Sequence, residues 1–305
     1  MCKFLYKLYM FKLGNGSIDS LYRRIVIRLL NYLFPVYFKF SKKSHQFNNY
    51  DDIPKIIVSL TSFPARINYV WLTIESILRQ KQKPDVIVIW LSKQDFISIE
   101  SLPKSLLDQQ KKGLQIRFVD DNLFPHKKYF YALQEFPEDI IIIIDDDMIY
   151  PPDLLQKIMK YHKEYPDVII ASISRKIALN GSSILPYHYW NLTKDESDCS
   201  LIYLTIGAGG VLIKKSFFSE TLFDMENLKQ LSLMTDDLWL KTHSLLKRTK
   251  VLPISFEFSR YPFPIRIKNN KTLMSENIGE SRNDVILKEL IKEYDLLSIL
   301  NGKDK

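Results

Sequence analysis

The sequence is poor in the residues that build disulfide-stabilised or zinc-stabilised folds. Its 305 residues include only two cysteines, Cys2 and Cys199, and these form no C-x-x-C pair. This count argues against a disulfide framework and a cysteine zinc site, and it favours a reducing compartment. Only nine glycines are present, and none forms a phosphate-cradling loop near the first predicted strand. Nucleotidyltransferases and phosphotransferases can also be α/β proteins with an Asp-bound metal, but they would need such a loop. Its absence therefore weighs against both of these functions.

The sequence also lacks an apolar run long enough to cross a membrane. The uncharged part of the N-terminal apolar region, residues 29–38, has ten residues, whereas a spanning helix needs about 20. Lysines at positions 3, 7 and 12 interrupt any apolar core of a secretory signal. In the N-terminal apolar region, basic residues are mixed with Leu, Ile, Tyr and Phe. This composition fits either a helix on an anionic membrane surface or a helix packed on the protein's own core. Pro35 is expected to kink or end that helix.

The charge balance favours an anionic partner. The chain carries 43 Lys and Arg against 35 Asp and Glu, which gives a net charge of +8. Its content of hydrophobic residues is 46% and that of aromatic residues is 13%, which indicates a folded protein with a sizeable core. Phosphorylated substrates, lipid headgroups and nucleic acid are the candidate partners. We do not expect nucleic acid, because no known nucleic-acid-binding motif is present and the basic residues are dispersed.

Alternating apolar runs and helical patterns predict an α/β fold with a mostly parallel central sheet. Predicted strands cover residues 55–60, 85–91, 114–119 and 140–144, with helical spacing between them. A strand, helix and strand within about forty residues form a parallel βαβ unit. We divide the chain into an N-terminal basic helical segment with linker (residues 1–50), an α/β domain (51–280) and a C-terminal amphipathic helix (281–305).

The most informative stretch is five isoleucines followed by Asp145, Asp146 and Asp147. An apolar run without alternation is typical of a strand buried on both faces in a parallel sheet. Ligands of open α/β sheets bind beyond the carboxyl ends of the strands. If the backbone stays extended, Asp145 and Asp147 share one side and could hold a divalent cation that also contacts phosphate. An acidic turn before a helix is the plainer alternative.

Three stretches together resemble family 2 glycosyltransferases and their relatives with the GT-A fold. The first is the βαβ unit around residues 72–85, and the second is Asp145–Asp147 with Pro151, which resembles the family's DxD metal motif. The third is the glycine segment 207–210 followed by Thr235-Asp236-Asp237-Leu238-Trp239. The resemblance covers roughly residues 54–245. Their order and spacing are more specific than any one motif.

This resemblance implies a nucleotide-sugar donor, a Mn²⁺ or Mg²⁺ ion held by Asp145 and Asp147, and transfer to a hydroxyl with inversion of the anomeric centre. The metal would neutralise charge on the leaving diphosphate. Asp236 or Asp237 is the candidate catalytic base, and the pair also suits a helix N-terminus, whose dipole favours acidic residues.

The remaining expected site residues rest on their positions in the chain as well as on the resemblance. Lys127 and Lys128 are placed to bind phosphate, although solvated surface lysines are the alternative. One departure is that Trp90-Leu91-Ser92-Lys93 stands where the family has an acidic stretch that contacts the base, which leaves UDP as donor in question. Asp120 or Asp121 could replace that contact, unless they form an ordinary polar turn. The expected donor-binding residues are Thr61, Phe63, Arg66, Asp120, Asp121, Lys127, Lys128 and Asp146, and the expected acceptor-binding residues are Gly207, Ala208, Gly209, Gly210 and Trp239.

We therefore expect a bacterial, cytoplasmic transferase at the inner face of the cell membrane that extends a surface glycan or a lipid-linked acceptor. Removing residues 1–45 should then release the protein from anionic liposomes. A non-catalytic membrane-surface binding module is the main alternative from another class.

Overall fold

The computed structural model describes residues 2–14, 16–41, 54–181, 183–193, 198–254, 262–267 and 282–300. Its α-helices are α1 (Cys2–Met10), α2 (Ser17–Phe40), α3 (Val70–Leu78), α4 (Lys104–Gln110), α5 (Lys127–Phe130), α6 (Ala132–Glu135), α7 (Leu154–Glu164), α8 (Met225–Leu231), α9 (Asp236–Leu246), α10 (Arg282–Tyr294) and α11 (Leu296–Leu300). Its strands are β1 (Ile56–Thr61), β2 (Val86–Ser92), β3 (Leu114–Val119), β4 (Ile140–Ile143), β5 (Met148–Ile149), β6 (Ile169–Ala171), β7 (Ser174–Lys176), β8 (Leu179–Asn180), β9 (Ser183–Ile184), β10 (Asn191–Leu192), β11 (Tyr203–Thr205), β12 (Val211–Ile213), β13 (Val251–Pro253) and β14 (Phe263–Pro264).

A seven-stranded sheet in the order β13-β6-β12-β4-β1-β2-β3 forms the centre of the fold. Its strand pairs are parallel except for those of β12, which runs antiparallel to both β4 and β6. Every residue of β4 is buried, because β1 and β12 pair with its two edges and side chains cover both faces. The predicted α/β fold with a mostly parallel sheet is confirmed.

The acidic segment follows β4 at the centre of the sheet, and its backbone is not extended. The strand ends at Ile143, and Asp146 and Asp147 lie in a turn before the short strand β5. The side-chain alternation of an extended strand therefore does not apply to the three aspartates. The expectation that Asp145 and Asp147 share one side for that reason was wrong.

The N-terminal helices α1 and α2 pack in a second hydrophobic cluster. The α2 side chains Leu30 and Phe34 are fully buried in it, together with Phe263 of β14 and Ile149 of β5. Helix α2 runs through Pro35 without ending, so of the two outcomes expected there, a kink or an end, the end does not occur. The core contacts on either side of the proline offset the single backbone hydrogen bond that proline cannot donate. No helix among the described residues is long and apolar enough to cross a membrane.

The predicted C-terminal helix is two helices. Helix α10 ends at Tyr294, and Asp295 has a φ of 45°, a left-handed conformation that ends the helix before α11 begins. Leu287 and Leu290 of α10 join the main core. The linker predicted at the end of the N-terminal segment falls outside the described residues from position 42 onward.

Candidate active site

The acidic segment after β4 is anchored from the loop after β1. Asp146 is buried and accepts a hydrogen bond from Ser62 Oγ at 2.5 Å, and its backbone oxygen accepts one from Thr73 Oγ1 at 2.9 Å. Because β1 and β4 are adjacent parallel strands, their carboxyl ends bring this loop and the acidic segment together. The middle aspartate is thus the structural anchor of the segment.

Arg66 joins Asp146 to Asp147. Its Nη1 lies 2.7 Å from Asp146 Oδ1 and 2.9 Å from Asp147 Oδ2, and the guanidinium stacks over the Phe63 ring. Burial raises the pKa of Asp147 to about 7; Arg66 opposes this rise, and the neighbouring carboxylates reinforce it. Asp147 therefore lies where an additional positive charge would be stabilising.

Lys128, in the short helix α5, connects the acidic segment to α9. Its Nζ lies 2.6 Å from Asp145 Oδ1 and 2.9 Å from Asp236 Oδ2. Burial alone would lower the pKa of Lys128, but the surrounding carboxylates raise it, so the ammonium stays charged. Lys128 thus compensates buried negative charge.

Asp236 and Asp237 occupy the first turn of α9, as predicted for an acidic pair at a helix N-terminus. Asp236 is buried. Burial would raise its pKa, but Lys128 lowers it below the ordinary value. Asp237 keeps part of its surface accessible, and its Oδ1 accepts a hydrogen bond from the Gly207 backbone N–H at 3.1 Å. Burial and the neighbouring Asp236 raise the pKa of Asp237 well above its ordinary value. The two aspartates therefore differ in environment: Asp236 pairs with Lys128, and Asp237 is hydrogen-bonded to the glycine segment.

The glycine segment, residues 207–210, approaches the site so closely that a side chain at Gly207 would not fit. A Cβ added to Gly207 would lie 2.7 Å from Lys128 Nζ and 3.3 Å from Asp145 Oδ1. Gly210 has a φ of 90°, a conformation that favours glycine. The hydroxyl of Tyr150 accepts a hydrogen bond from the Asp145 backbone N–H and donates one to the Ala208 carbonyl, each at 3.0 Å. The backbone of the glycine segment thus lies directly against the acidic cluster, by which we mean the carboxylates of Asp145, Asp146, Asp147, Asp236 and Asp237.

Ser62, Thr73, Tyr150 and His126 also belong to this site, although the sequence did not single them out. His126 is fully buried, its Nε2 lies 2.8 Å from the Ser232 carbonyl oxygen, and burial lowers its pKa to about 4. Because the ring is neutral, Nε2 donates to that carbonyl and holds the turn before α9. Ser62 and His126 adjoin predicted residues and Tyr150 follows Asp147 by three positions, so proximity in sequence was the available signal; Thr73 gave none.

Other predicted residues form their hydrogen bonds and ion pairs with groups outside the acidic cluster. Lys127 Nζ donates to Asn122 Oδ1 at 2.6 Å, and burial lowers its pKa to about 8. Both lysines are buried, so the alternative of solvated surface lysines was wrong. Asp120 and Asp121 follow the edge strand β3 and form exposed ion pairs with lysines.

Two further predicted residues have structural contacts. Thr61 Oγ1 donates to the backbone carbonyl of Trp90 at 2.8 Å and links β1 to β2. Trp239 is completely buried and its Nε1 donates to the Leu222 carbonyl at 3.0 Å. In this structure Trp239 packs the core and offers no surface to an acceptor.

The charge of the cluster fits a divalent cation. Five carboxylates, those of Asp145, Asp146, Asp147, Asp236 and Asp237, face two cationic side chains, Arg66 and Lys128. Among the described residues, no group of three His, Cys, Asp or Glu side chains is arranged to hold a metal by itself. Mg²⁺ in nucleotide sites is usually held by one or two carboxylates, with substrate phosphates and waters completing its coordination. The donor set therefore suits a metal that binds together with a phosphate ligand.

Comparison with protein families identifies this arrangement. The model of glycosyl transferase family 2 matches residues 63–217, from the loop after β1 through the acidic and glycine segments to the region after β12. The chain belongs to glycosyl transferase family 2. The protein is therefore a glycosyltransferase, which confirms the resemblance and the enzyme class expected from the sequence. Asp236 and Asp237 lie beyond the matched region.

Solved structures of glycosyltransferases are similar to this family 2 chain at low sequence identity. A mannosyltransferase from Pyrobaculum calidifontis in complex with GDP-Man and Mn²⁺ has 11% identity and a TM-score of 0.49, with 98% of this chain and 80% of that chain covered. TarS of S. aureus (residues 1–349) in complex with UDP has 14% identity and a TM-score of 0.47, with 79% and 66% covered. No curated protein matches the sequence significantly.

Proposed function

We propose that this family 2 enzyme transfers a sugar from a nucleotide-sugar donor to a hydroxyl of a surface glycan or lipid-linked acceptor, with inversion of the anomeric centre. One observation carries the proposal: the acidic segment, Lys128, the α9 carboxylates and the Gly207 backbone meet at one place. A site for inverting transfer needs an electrostatic centre for the leaving diphosphate and a base on the other side of the sugar.

Asp147 and Asp145 are the residues that would hold a Mn²⁺ or Mg²⁺ ion. When bound, the metal would act as a Lewis acid that neutralises charge on the nucleoside diphosphate. Asp146 is a poor ligand because Ser62 and Arg66 already occupy its two oxygens. Arg66, which already pairs with Asp146 and Asp147, can contribute to phosphate binding through its guanidinium.

Asp237 is the better candidate for the base. Asp236 is buried against Lys128, whereas Asp237 is partly accessible and adjoins the glycine segment. A base must reach the acceptor hydroxyl within hydrogen-bond distance. Asp237 would take the proton from an acceptor bound along residues 207–210, while Asp236 positions Lys128.

Calorimetric titration of UDP, with and without Mn²⁺, tests the donor site. We expect metal-dependent binding that is lost in Asp147→Ala and retained in Asp108→Ala, which removes an exposed carboxylate on α4. If UDP fails, GDP, CMP and dTDP are titrated in the same way, because Trp90–Lys93 replaces the acidic stretch expected to contact the base. Failure of all four nucleotides would contradict the proposed donor site.

Asp237→Asn separates the base from the donor site. We expect this variant to bind nucleotide with Mn²⁺ as the parent does and to lose transfer and nucleotide-sugar hydrolysis by roughly 100-fold or more, the usual range for a general base. Full activity of Asp237→Asn together with an inactive Asp236→Asn would assign the base to Asp236.

A further inference from the structure

Helix α2 has a second apolar face that points away from the protein. Seven large apolar side chains of this face follow one another at steps of three or four residues, and each is between 41% and 81% exposed. Residues at this spacing lie on one side of an α-helix. We call this face the outer stripe; it consists of Ile18, Leu21, Ile25, Leu29, Tyr32, Val36 and Phe40.

The opposite face of α2 already serves the protein core. Val26, Leu30, Phe34 and Phe38 are buried on it. An amphipathic helix of a soluble protein normally has one apolar face, so the second one needs another explanation. Of the sixteen exposed large apolar side chains among the described residues, ten lie within residues 2–41. A contiguous apolar surface of this kind marks an interaction site.

Positive charge accompanies the outer stripe. Residues 1–41 contain seven Lys or Arg and one Asp, a net charge of +6 out of the +8 of the whole chain. Arg24, Arg28 and Lys39 are exposed on α2. By helical spacing Arg28 lies next to Ile25 and Tyr32, at the edge of the stripe. The only acidic residue, Asp19, is engaged at the start of α2, where its Oδ1 accepts a hydrogen bond from the Leu13 N–H.

We propose that the outer stripe and its bordering basic residues bind the surface of an anionic lipid bilayer. An interfacial helix buries its apolar face at the boundary between headgroups and acyl chains, and its basic residues contact anionic headgroups. A second copy of the chain is the less suitable occupant, because a symmetric contact would bring two surfaces of charge +6 together. The proposal goes beyond the proposed transferase activity and does not depend on it.

Docking through α2 would hold the candidate active site near the membrane. Phe34 of α2 packs against the Phe263 ring at a centroid distance of 5.1 Å. Phe263 pairs with Ile149 in the β14–β5 ladder, and β5 directly follows Asp147. The β14–β5 ladder therefore links α2 directly to the acidic segment.

Vesicle flotation of the full chain tests this proposal. We expect binding to vesicles of phosphatidylcholine with phosphatidylglycerol and much weaker binding to phosphatidylcholine alone. The stripe variant Leu21→Gln/Ile25→Gln/Leu29→Gln should weaken binding roughly 100-fold, because three apolar side chains no longer enter the interface. Arg24→Gln/Arg28→Gln should weaken it by roughly 10- to 30-fold, and by less at high salt.

The control variant Ile97→Gln/Val285→Gln replaces exposed apolar residues elsewhere, 95% and 62% exposed, and should bind as the parent does. Circular dichroism checks that each variant is folded. Calorimetric nucleotide titration checks its donor site separately, so a loss of vesicle binding can be distinguished from a loss of nucleotide binding. Undiminished vesicle binding by the stripe variant, or no binding by the parent, would overturn the proposal. So would a stable dimer in sedimentation that only the stripe variant dissociates, since the stripe would then be covered by a second copy.

Discussion

The Lys128 ammonium lies 2.6 Å from the Asp145 carboxylate and joins helix α5 to the acidic segment after β4. It lies within reach of the α9 carboxylates as well, and the lysine side chain is almost fully buried. A buried charge at such a position is retained only when opposite charges compensate it. The pair therefore connects two separate parts of the sequence into one electrostatic unit.

Lys128→Met should destabilise the protein by about 3–5 kcal/mol, the usual cost of leaving a buried carboxylate without its partner. Urea denaturation monitored by circular dichroism measures the change. Lys104→Met removes an exposed lysine that pairs with Asp108 on α4, and it should cost less than about 1 kcal/mol. Equal effects of the two substitutions would show that Lys128 does not compensate buried charge.

Gly207→Ala should reduce catalysis more than stability. The added Cβ would lie 2.7 Å from Lys128 Nζ, and the lysine must shift within the acidic cluster. We expect nucleotide-sugar hydrolysis to fall by roughly 100-fold, as is common when a catalytic group is displaced by about 1 Å.

Gly209→Ala provides the contrast to Gly207→Ala, because its Cβ would meet the Ile173 backbone nitrogen at 2.8 Å, which cannot move as easily. We expect Gly209→Ala to lower the thermal midpoint substantially. Gly181→Asn, in an open left-handed turn, should leave both activity and midpoint nearly unchanged. A fully active Gly207→Ala would contradict the close approach of this backbone to the site.

Lys241 should make the stability depend on pH. It is buried and donates to the Leu201 carbonyl, and burial lowers its pKa from 10.5 to about 7. Between these two values the unfolded chain binds more protons at this residue than the folded chain, so its contribution to stability rises with pH. The penalty for burying the charged form is largest below pH 7.

Lys241→Met removes this penalty together with the hydrogen bond. The thermal midpoint of Lys241→Met minus that of the parent should therefore be most positive near pH 6 and should decrease towards pH 10. Lys247→Met, an exposed lysine just after the same helix, serves as the control and should show no such trend. A constant difference across this pH range would contradict the lowered pKa.

Arg79 should hold α2 to the rest of the protein. Its Nη2 donates to the carbonyl oxygens of Phe38 and Ser41 at 3.3 and 3.0 Å and pairs with buried Glu75. Arg79→Met should lower the free energy of local opening of α2 by about 1–3 kcal/mol, because two carbonyl oxygens lose their charged donor, while Lys112 still pairs with Glu75. Limited proteolysis should then cleave within residues 2–41 faster than in the exposed-site control Arg24→Met. Identical cleavage rates would show that apolar packing alone holds the helix.

The strands and the acidic segment were predictable from the sequence because their signals are local. The isoleucine run has no alternation, which indicates burial on both faces, and β4 is buried in this way. The α9 acidic pair was recognisable from its position at the start of an apolar helical pattern. The continuation of α2 through Pro35 was not predictable, because the contacts that stabilise it come from β5 and β14, which are distant in sequence.

The sequence by itself determined the α/β class, the family motifs and the carboxylates of the site, since these depend on residue type and spacing. Only the tertiary structure decided how the carboxylates are used: Asp146 is an anchor, Asp236 is paired with Lys128, and Asp237 faces the glycine segment. It also decided which α2 face is buried, although both faces are apolar in sequence. Charge compensation and burial depend on contacts between distant segments, and a linear pattern does not contain them.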